Sequence, residues 1–193
     1  MVFNQDDYFK NTFSKLSLSR QNIREIEFED CTFNRCSFVN STFLQCKFIH
    51  CVFQECMLSA VLPTNCHFID VSFVDSKVIG IDWTKAQQVQ NLSFKECQIN
   101  YSNFRMLKLP KTKMVDCEAK EVDFVETNLS NSELTNTDFE RSIFSKTNLT
   151  KANLVGAKNY LIDARSNTIK KARFALPEAL SLLDSLDIII ETV

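Results

Sequence analysis

The sequence predicts an all-β solenoid, a chain wound into stacked coils of five-residue units. An apolar residue recurs at every fifth position through most of the chain, and a column of small residues sits two positions before it. The composition points the same way: of 17 Phe in 193 residues, fifteen lie on this register. A period of five suits neither an α-helix at about 3.6 residues per turn nor a strand at about 2. Each unit must therefore repeat one local geometry.

The apolar column runs Phe3, Tyr8, Phe13, Leu18, Ile23, Phe28, Phe33, Phe38, Phe43, Phe48, Phe53, Leu58, Pro63, Phe68, Phe73, Val78 and Trp83. It slips by one residue and resumes at Val89, Phe94, Ile99, Phe104, Leu109, Met114, Ala119, Phe124, Leu129, Leu134, Phe139, Phe144, Leu149 and Leu154. The small column includes Cys31, Cys36, Ser41, Cys46, Cys51, Cys56, Val61 and Cys66, and later Thr127, Ser132, Thr137, Ser142, Thr147, Ala152 and Ala157. The other three positions are mainly polar. Each unit thus turns one large and one small side chain inward.

These columns resemble the pentapeptide-repeat family, whose motif is a small residue, often Asn or Asp, then Leu or Phe, then two variable polar residues. Thr127-Asn128-Leu129-Ser130-Asn131 and Ala152-Asn153-Leu154-Val155-Gly156 carry the motif closely, and the likeness covers roughly residues 16 to 157. The resemblance implies a right-handed quadrilateral β-helix with four units per turn. Roughly seven coils at ~4.8 Å each would make a rod of about 34 Å. Opposite charges twenty residues apart, such as Arg35/Glu55, Glu27/Lys47, Lys120/Glu140, Glu121/Arg141 and Glu126/Lys146, fit stacked coils; Glu55/Asp75, Glu96/Asp116 and Glu118/Asp138 are like-charged.

The β-helix is expected over residues 1–157, with 1–15 an N-terminal cap or an imperfect coil, and a separate C-terminal segment over 158–193. Pro63 cannot donate to a ladder, so its corner is expected to bulge or loop out. The one-residue slip falls in Thr84–Asn91 and reads as a simple bulge, with a functional loop as the alternative. With only 2 Gly, few turns with φ > 0 are expected. Asn159 to Phe174 reads as an irregular edge cover. Pro177, Glu178 and the stripe Leu180, Leu183, Leu186 predict a short α-helix. Ile188-Ile189-Ile190-Glu191-Thr192 predicts a strand.

A solenoid must cover its open end, and this tail carries more apolar surface than a cap needs. It resembles the dimerisation element of family members that act on DNA topoisomerases. That likeness implies a twofold homodimer through Phe174, Leu176, Leu180, Leu183, Leu186, Ile188 and Ile190.

All eight Cys occupy the small column and read as buried filler, since coil spacing exceeds disulfide Cβ spacing and a column does not converge four ligands. His50 and His67 fall at outward positions. No nucleotide, zinc or nucleophile motif is present, and a filled rod leaves no substrate pocket. No catalytic residue, metal, cofactor or small-molecule substrate is therefore expected. A net charge of −2 gives no case for direct nucleic-acid binding, and no stretch suits a membrane span or a signal peptide, so a cytoplasmic location is expected.

The resemblance implies a DNA-mimicking rod that occupies DNA gyrase or topoisomerase IV and inhibits it or protects it from quinolones or toxins. The acidic run Asp116, Glu118, Glu121, Asp123, Glu126, Glu133, Asp138 and Glu140 would supply the phosphate-like surface; a solvated, salt-bridged face explains the run equally well. The alternative function is a structural or regulatory module with an unrelated protein partner.

Overall fold

In a computed structural model the chain is a right-handed, four-sided β-solenoid. The structure describes residues 3–186, 188–189 and 191. Four flat faces follow one another around the coil. Face A holds strands Asp7–Phe9, Glu27–Glu29, Lys47–Ile49, His67–Ile69 and Gln88–Gln90. Face B runs from Thr12–Ser14 to Lys113–Val115 in six parallel strands. Face C is a ladder of single bridges, Ser17, Ser37, Met57, Lys77, Gln98, Glu118, Asp138 and Lys158. Face D begins with Asn22–Arg24, Thr42–Leu44 and Leu62–Thr64.

The register is twenty residues: Phe28 pairs with Phe48, and Phe33 with Phe53. It becomes twenty-one across the insertion, where Phe68 pairs with Val89. Identical positions therefore stack, and the inward rings form ladders. Along face B the centroids of Phe13, Phe33, Phe53, Phe73 and Phe94 follow at 5.1, 4.6, 5.1 and 5.1 Å with nearly parallel planes. Phe33, Phe53 and Phe73 are wholly buried.

The small column has a second task besides filling space. Cys56 Sγ donates to the carbonyls of Phe33 (3.3 Å) and Gln54 (3.2 Å). Ser76 Oγ donates to Phe53 (3.2 Å) and Val74 (2.8 Å), and Thr137 Oγ1 to Met114 (2.8 Å) and Thr135 (3.2 Å). Thiol and hydroxyl thus satisfy the same pair of backbone acceptors, which explains why Cys, Ser and Thr alternate in one column. Burial pushes the Cys51 thiol up to about 12, so it stays protonated at neutral pH.

Several expectations from sequence are corrected. The scarcity of Gly does not mean few left-handed turns: among the described residues, twenty-nine that are not glycine have positive φ, one after nearly every apolar centre. Each strained corner projects its side chain outward while its N–H closes onto the next coil, as in Lys10 to the Glu29 carbonyl (3.0 Å) and Arg35 to Gln54 (2.9 Å). Those bonds offset a left-handed cost of roughly 1–2 kcal/mol per residue. Pro63 neither bulges nor loops out. It is buried within the strand Leu62–Thr64 and pairs with Phe43. That three-stranded sheet ends at this strand, so no further strand is there to receive the missing N–H. The next coil turns instead into the 3-10 helix Trp83–Lys85, capped by Asp82, which absorbs the inserted residue as a simple bulge.

The ends differ as well. Residues 1–15 follow the imperfect-coil alternative where described, since Tyr8 and Phe13 stack in register on Phe28 and Phe33. The ladder also continues past Ala157: Phe144 bridges Ile162, Asn148 bridges Thr168 and Asn153 bridges Arg173. Asn167 takes the small column, its Oδ1 accepting from the Thr147 N–H at 2.9 Å. Irregular spacing around Tyr160 and Ile162 hid this last coil from the five-residue count. The predicted α-helix is a 3-10 helix, Glu178–Leu186. Leucines at 180, 183 and 186 match its three residues per turn and share one edge. No strand forms at Ile188, Ile189 or Glu191; Ile190 and Thr192 lie outside the described residues.

The ring ladders carry the stability. Phe53→Ala should cost about 3–5 kcal/mol in urea unfolding, whereas loss of the exposed Phe9 ring should change stability by no more than about 0.5 kcal/mol. Equal small effects would remove the ladders from the energetics.

Candidate partner-binding surface

Because side chains stack in register, a face of the solenoid displays its charges as columns with a ~4.8 Å step. The eight acidic residues proposed from sequence divide between two regions. Glu118, Glu121, Asp123, Glu126, Asp138 and Glu140 share faces C and D and their corners, while Glu133 lies on face B and Asp116 at the corner between faces B and C. Most are neutralised. Asp123 pairs with Arg105 (2.8 Å), Glu126 with Lys146 (3.4 Å), Glu121 with Arg141 (3.7 Å), and Glu140 with Lys120 (3.0 Å).

Asp138 is the most enclosed of the set, only 7% exposed. Burial pushes its carboxyl up, but the Asn159 amide (2.8 Å) and Lys120 ammonium (3.3 Å) outweigh burial and hold it below the usual carboxylate range. Asp116 and Glu133 accept from Asn136 (2.9 Å) and Asn153 (2.6 Å). Glu118 alone of the eight has no side-chain partner among the described residues. Faces C and D of the C-terminal coils are thus mixed and salt-bridged.

The carboxylates that stack on one another stand elsewhere. The corner column between faces B and C reads Lys15, Arg35, Glu55, Asp75, Glu96, Asp116, Asn136, Gly156, all at positive φ. Its middle is four consecutive carboxylates on four consecutive coils. Beside Asp116 on face C stands Glu118. Glu55 is tied to Arg35 at 2.8 Å, which holds its carboxyl below the ordinary value, and Glu96 lies 3.5 Å from Lys95. Asp75 makes no ion pair among the described residues. Three steps of ~4.8 Å carry four charges here, against one phosphate per ~3.4 Å of axis on a single DNA strand. Sequence reasoning missed Glu55, Asp75 and Glu96. Their signal was the like-charged pairs Glu55/Asp75 and Glu96/Asp116, but the three residues lie before the acidic run that starts at Asp116.

The C-terminal tail offers a second surface. Phe174, expected at an interface, is partly buried against the core with its ring 5.7 Å from Tyr160, and Leu182 packs inward beside it. Leu183 is half-buried. Leu176, Leu180, Leu186, Ile188 and Ile189 remain exposed, Ile189 by 91%. Leu161, not singled out in the sequence, joins Pro177 and Leu180 along one shallow hollow. Ile190 lies outside the described residues. His50, also at a corner, stands 3.5 Å from Asp30 and 3.7 Å from Asp70.

The family profile described as "Pentapeptide repeat region" matches residues 26–104 and 88–159. No curated protein matches the sequence. Among solved structures, the fold is similar to a trypsin-treated variant of QnrB1, a plasmid-mediated fluoroquinolone resistance protein. The TM-score is 0.74 at 16% identity, covering 96% of this chain and 100% of that one. A second trypsin-treated QnrB1 variant aligns with a TM-score of 0.66 at 17% identity, covering 96% and 92%.

Stacked like charges oppose folding, so the ridge should be a site of local instability. Asp75→Asn and Glu96→Gln should each raise the thermal midpoint at low salt, and the gain should shrink as salt screens the column. Glu126→Gln, which breaks the ion pair to Lys146 on the next coil and relieves no stacked carboxylate, should bring no gain. A lower midpoint for both ridge variants would mean the carboxylates are structural.

Proposed function

Because the chain belongs to the pentapeptide-repeat family, we propose that it is a non-enzymatic binding protein whose carboxylate ridge stands in for a DNA strand in the DNA groove of a type II topoisomerase. The observation that carries this reading is the run Glu55, Asp75, Glu96, Asp116 on successive coils. A rigid line of charge is complementary to a groove built to hold phosphates. Rod length agrees: the eight rungs of face C span seven steps, or about 34 Å. The likeness to a fluoroquinolone resistance protein is one of fold.

The tail completes this reading as a twofold homodimer. Leu180 and Leu186 share one edge of the 3-10 helix and are exposed, Leu161 lines the same hollow as Leu180, and Leu176, Ile188 and Ile189 are exposed in the same segment. Such exposed apolar side chains at the end of a polar rod suit an isologous contact, which would align two ridges along one longer rod. A cytoplasmic location belongs to the same proposal. The second reading, a module for an unrelated protein partner, is favoured by the neutralised charges of faces C and D.

A gyrase supercoiling assay with and without a fluoroquinolone tests the first reading. The protein should inhibit the enzyme or relieve the drug, and Asp75→Asn with Glu96→Gln should weaken that effect. If neither inhibition, relief nor binding occurs at micromolar protein, the topoisomerase reading fails. For the dimer, Leu180→Asp with Leu186→Asp should yield a folded monomer in sedimentation, and deletion of 174–193 should yield monomer or aggregate. An unchanged dimer in either case would end that claim.

A further inference from the structure

The near-neutral total charge hides a segregation along face A. On the N-terminal coils its outward positions hold five acids, Asp7, Glu27, Glu29, Asp30 and Asp70, against Lys10 and Lys47. Past the insertion the ladder continues through Lys108, Asn128, Asn148 and Thr168. The outward positions of those four rungs, 108–111, 128–131, 148–151 and 168–171, carry Lys108, Lys111, Lys151, Lys170 and Lys171 and no acid. Lys113 and Arg173 extend the basic strip onto the edge of face B. Glu133 lies between them and is engaged by Asn153 at 2.6 Å.

All seven cations are exposed, and none makes an ion pair among the described residues. On the acidic faces the opposite holds: Arg105, Lys120, Arg141, Lys146 and Lys158 are each paired. Among the described residues the strip therefore has no carboxylate partner.

We infer that this basic half of face A binds the phosphate backbone of duplex DNA without regard to sequence. The remaining side chains support that occupant. Asn128 and Asn148 each commit Oδ1 to the backbone N–H two residues on, at 3.0 Å in both cases, leaving the amide NH2 as the group on offer. Asn131, Ser130, Thr150 and Thr168 complete a face of the residue types that contact phosphates. An acidic protein segment fits less well. A specific protein interface needs an aromatic or large apolar anchor at its centre, and these positions offer only Pro110. The lack of aromatic side chains also removes a stacking platform for single strands. Four rungs cover about 14 Å, roughly four phosphates of one strand.

The inference does not rest on the topoisomerase reading: the ridge and this strip are different columns, and either can fail alone. The test is fluorescence anisotropy of the whole protein with a short labelled duplex of arbitrary sequence, repeated with labelled polyglutamate. With five lysines on phosphates, affinity should fall roughly 500-fold between about 50 and about 200 mM salt, following a slope of about −0.9 per contact. Lys111→Gln with Lys151→Gln should reduce that fall to roughly 40-fold and weaken binding at the lower salt. Lys120→Gln with Lys146→Gln should change neither. Absence of saturable duplex binding at low salt would overturn the inference. So would duplex affinity and salt dependence left unchanged by the Lys111/Lys151 change, or preference for polyglutamate over the duplex, which would make the occupant an acidic protein.

Discussion

Each coil lies directly on the next, and every other property of the molecule depends on that stacking. A ring on one coil meets a ring on the following coil near 5 Å, as Phe53 meets Phe73 at 5.1 Å. The backbone closes over them through bonds such as Val52 N–H to the Cys31 carbonyl at 2.9 Å. The two contacts demand the same rise per turn, so packing and hydrogen bonding reinforce each other. The cost is a left-handed residue at nearly every corner. That cost is met by polar and charged residues, which need no space inside and gain solvent outside.

The same stacking turns the surface into a display. A charge placed at one position of the repeat acquires neighbours of fixed spacing above and below it. Most columns use this to neutralise themselves, as in Lys120 over Glu140 and Lys146 over Glu126. Two regions instead stack like charges: the carboxylate ridge between faces B and C, and the lysine strip of face A. Both hold like charges at distances where repulsion weakens folding. A scaffold that can balance its charges elsewhere gains nothing in stability from leaving these two unbalanced. The width of face B separates them, so the rod presents opposite signs along two lines.

The path from residues to fold was short because the period is visible. Phe28, Phe48 and Phe68 announce a twenty-residue turn through identity alone, and the cysteine column announces its neighbour. Where the period is disguised, the reading failed. Tyr160 and Ile162 break the spacing, so the coil ending in Arg173 looked irregular. Pro63 looked disruptive because the direction of its missing N–H is not written in the sequence.

The candidate surfaces were legible only in part. Proximity in the chain drew attention to Asp123, Glu126 and Glu140, which the fold then paired with Arg105, Lys146 and Lys120. Glu55, Asp75 and Glu96 are scattered in sequence and contiguous only once coils stack. By itself the sequence determined the repeat, the inward columns and the filler role of the cysteines, because those follow from which side chains avoid water. Only the tertiary structure decided which charges are left unpaired. Pairing is settled across coils, by the ~4.8 Å step and by which rotamers reach their neighbours.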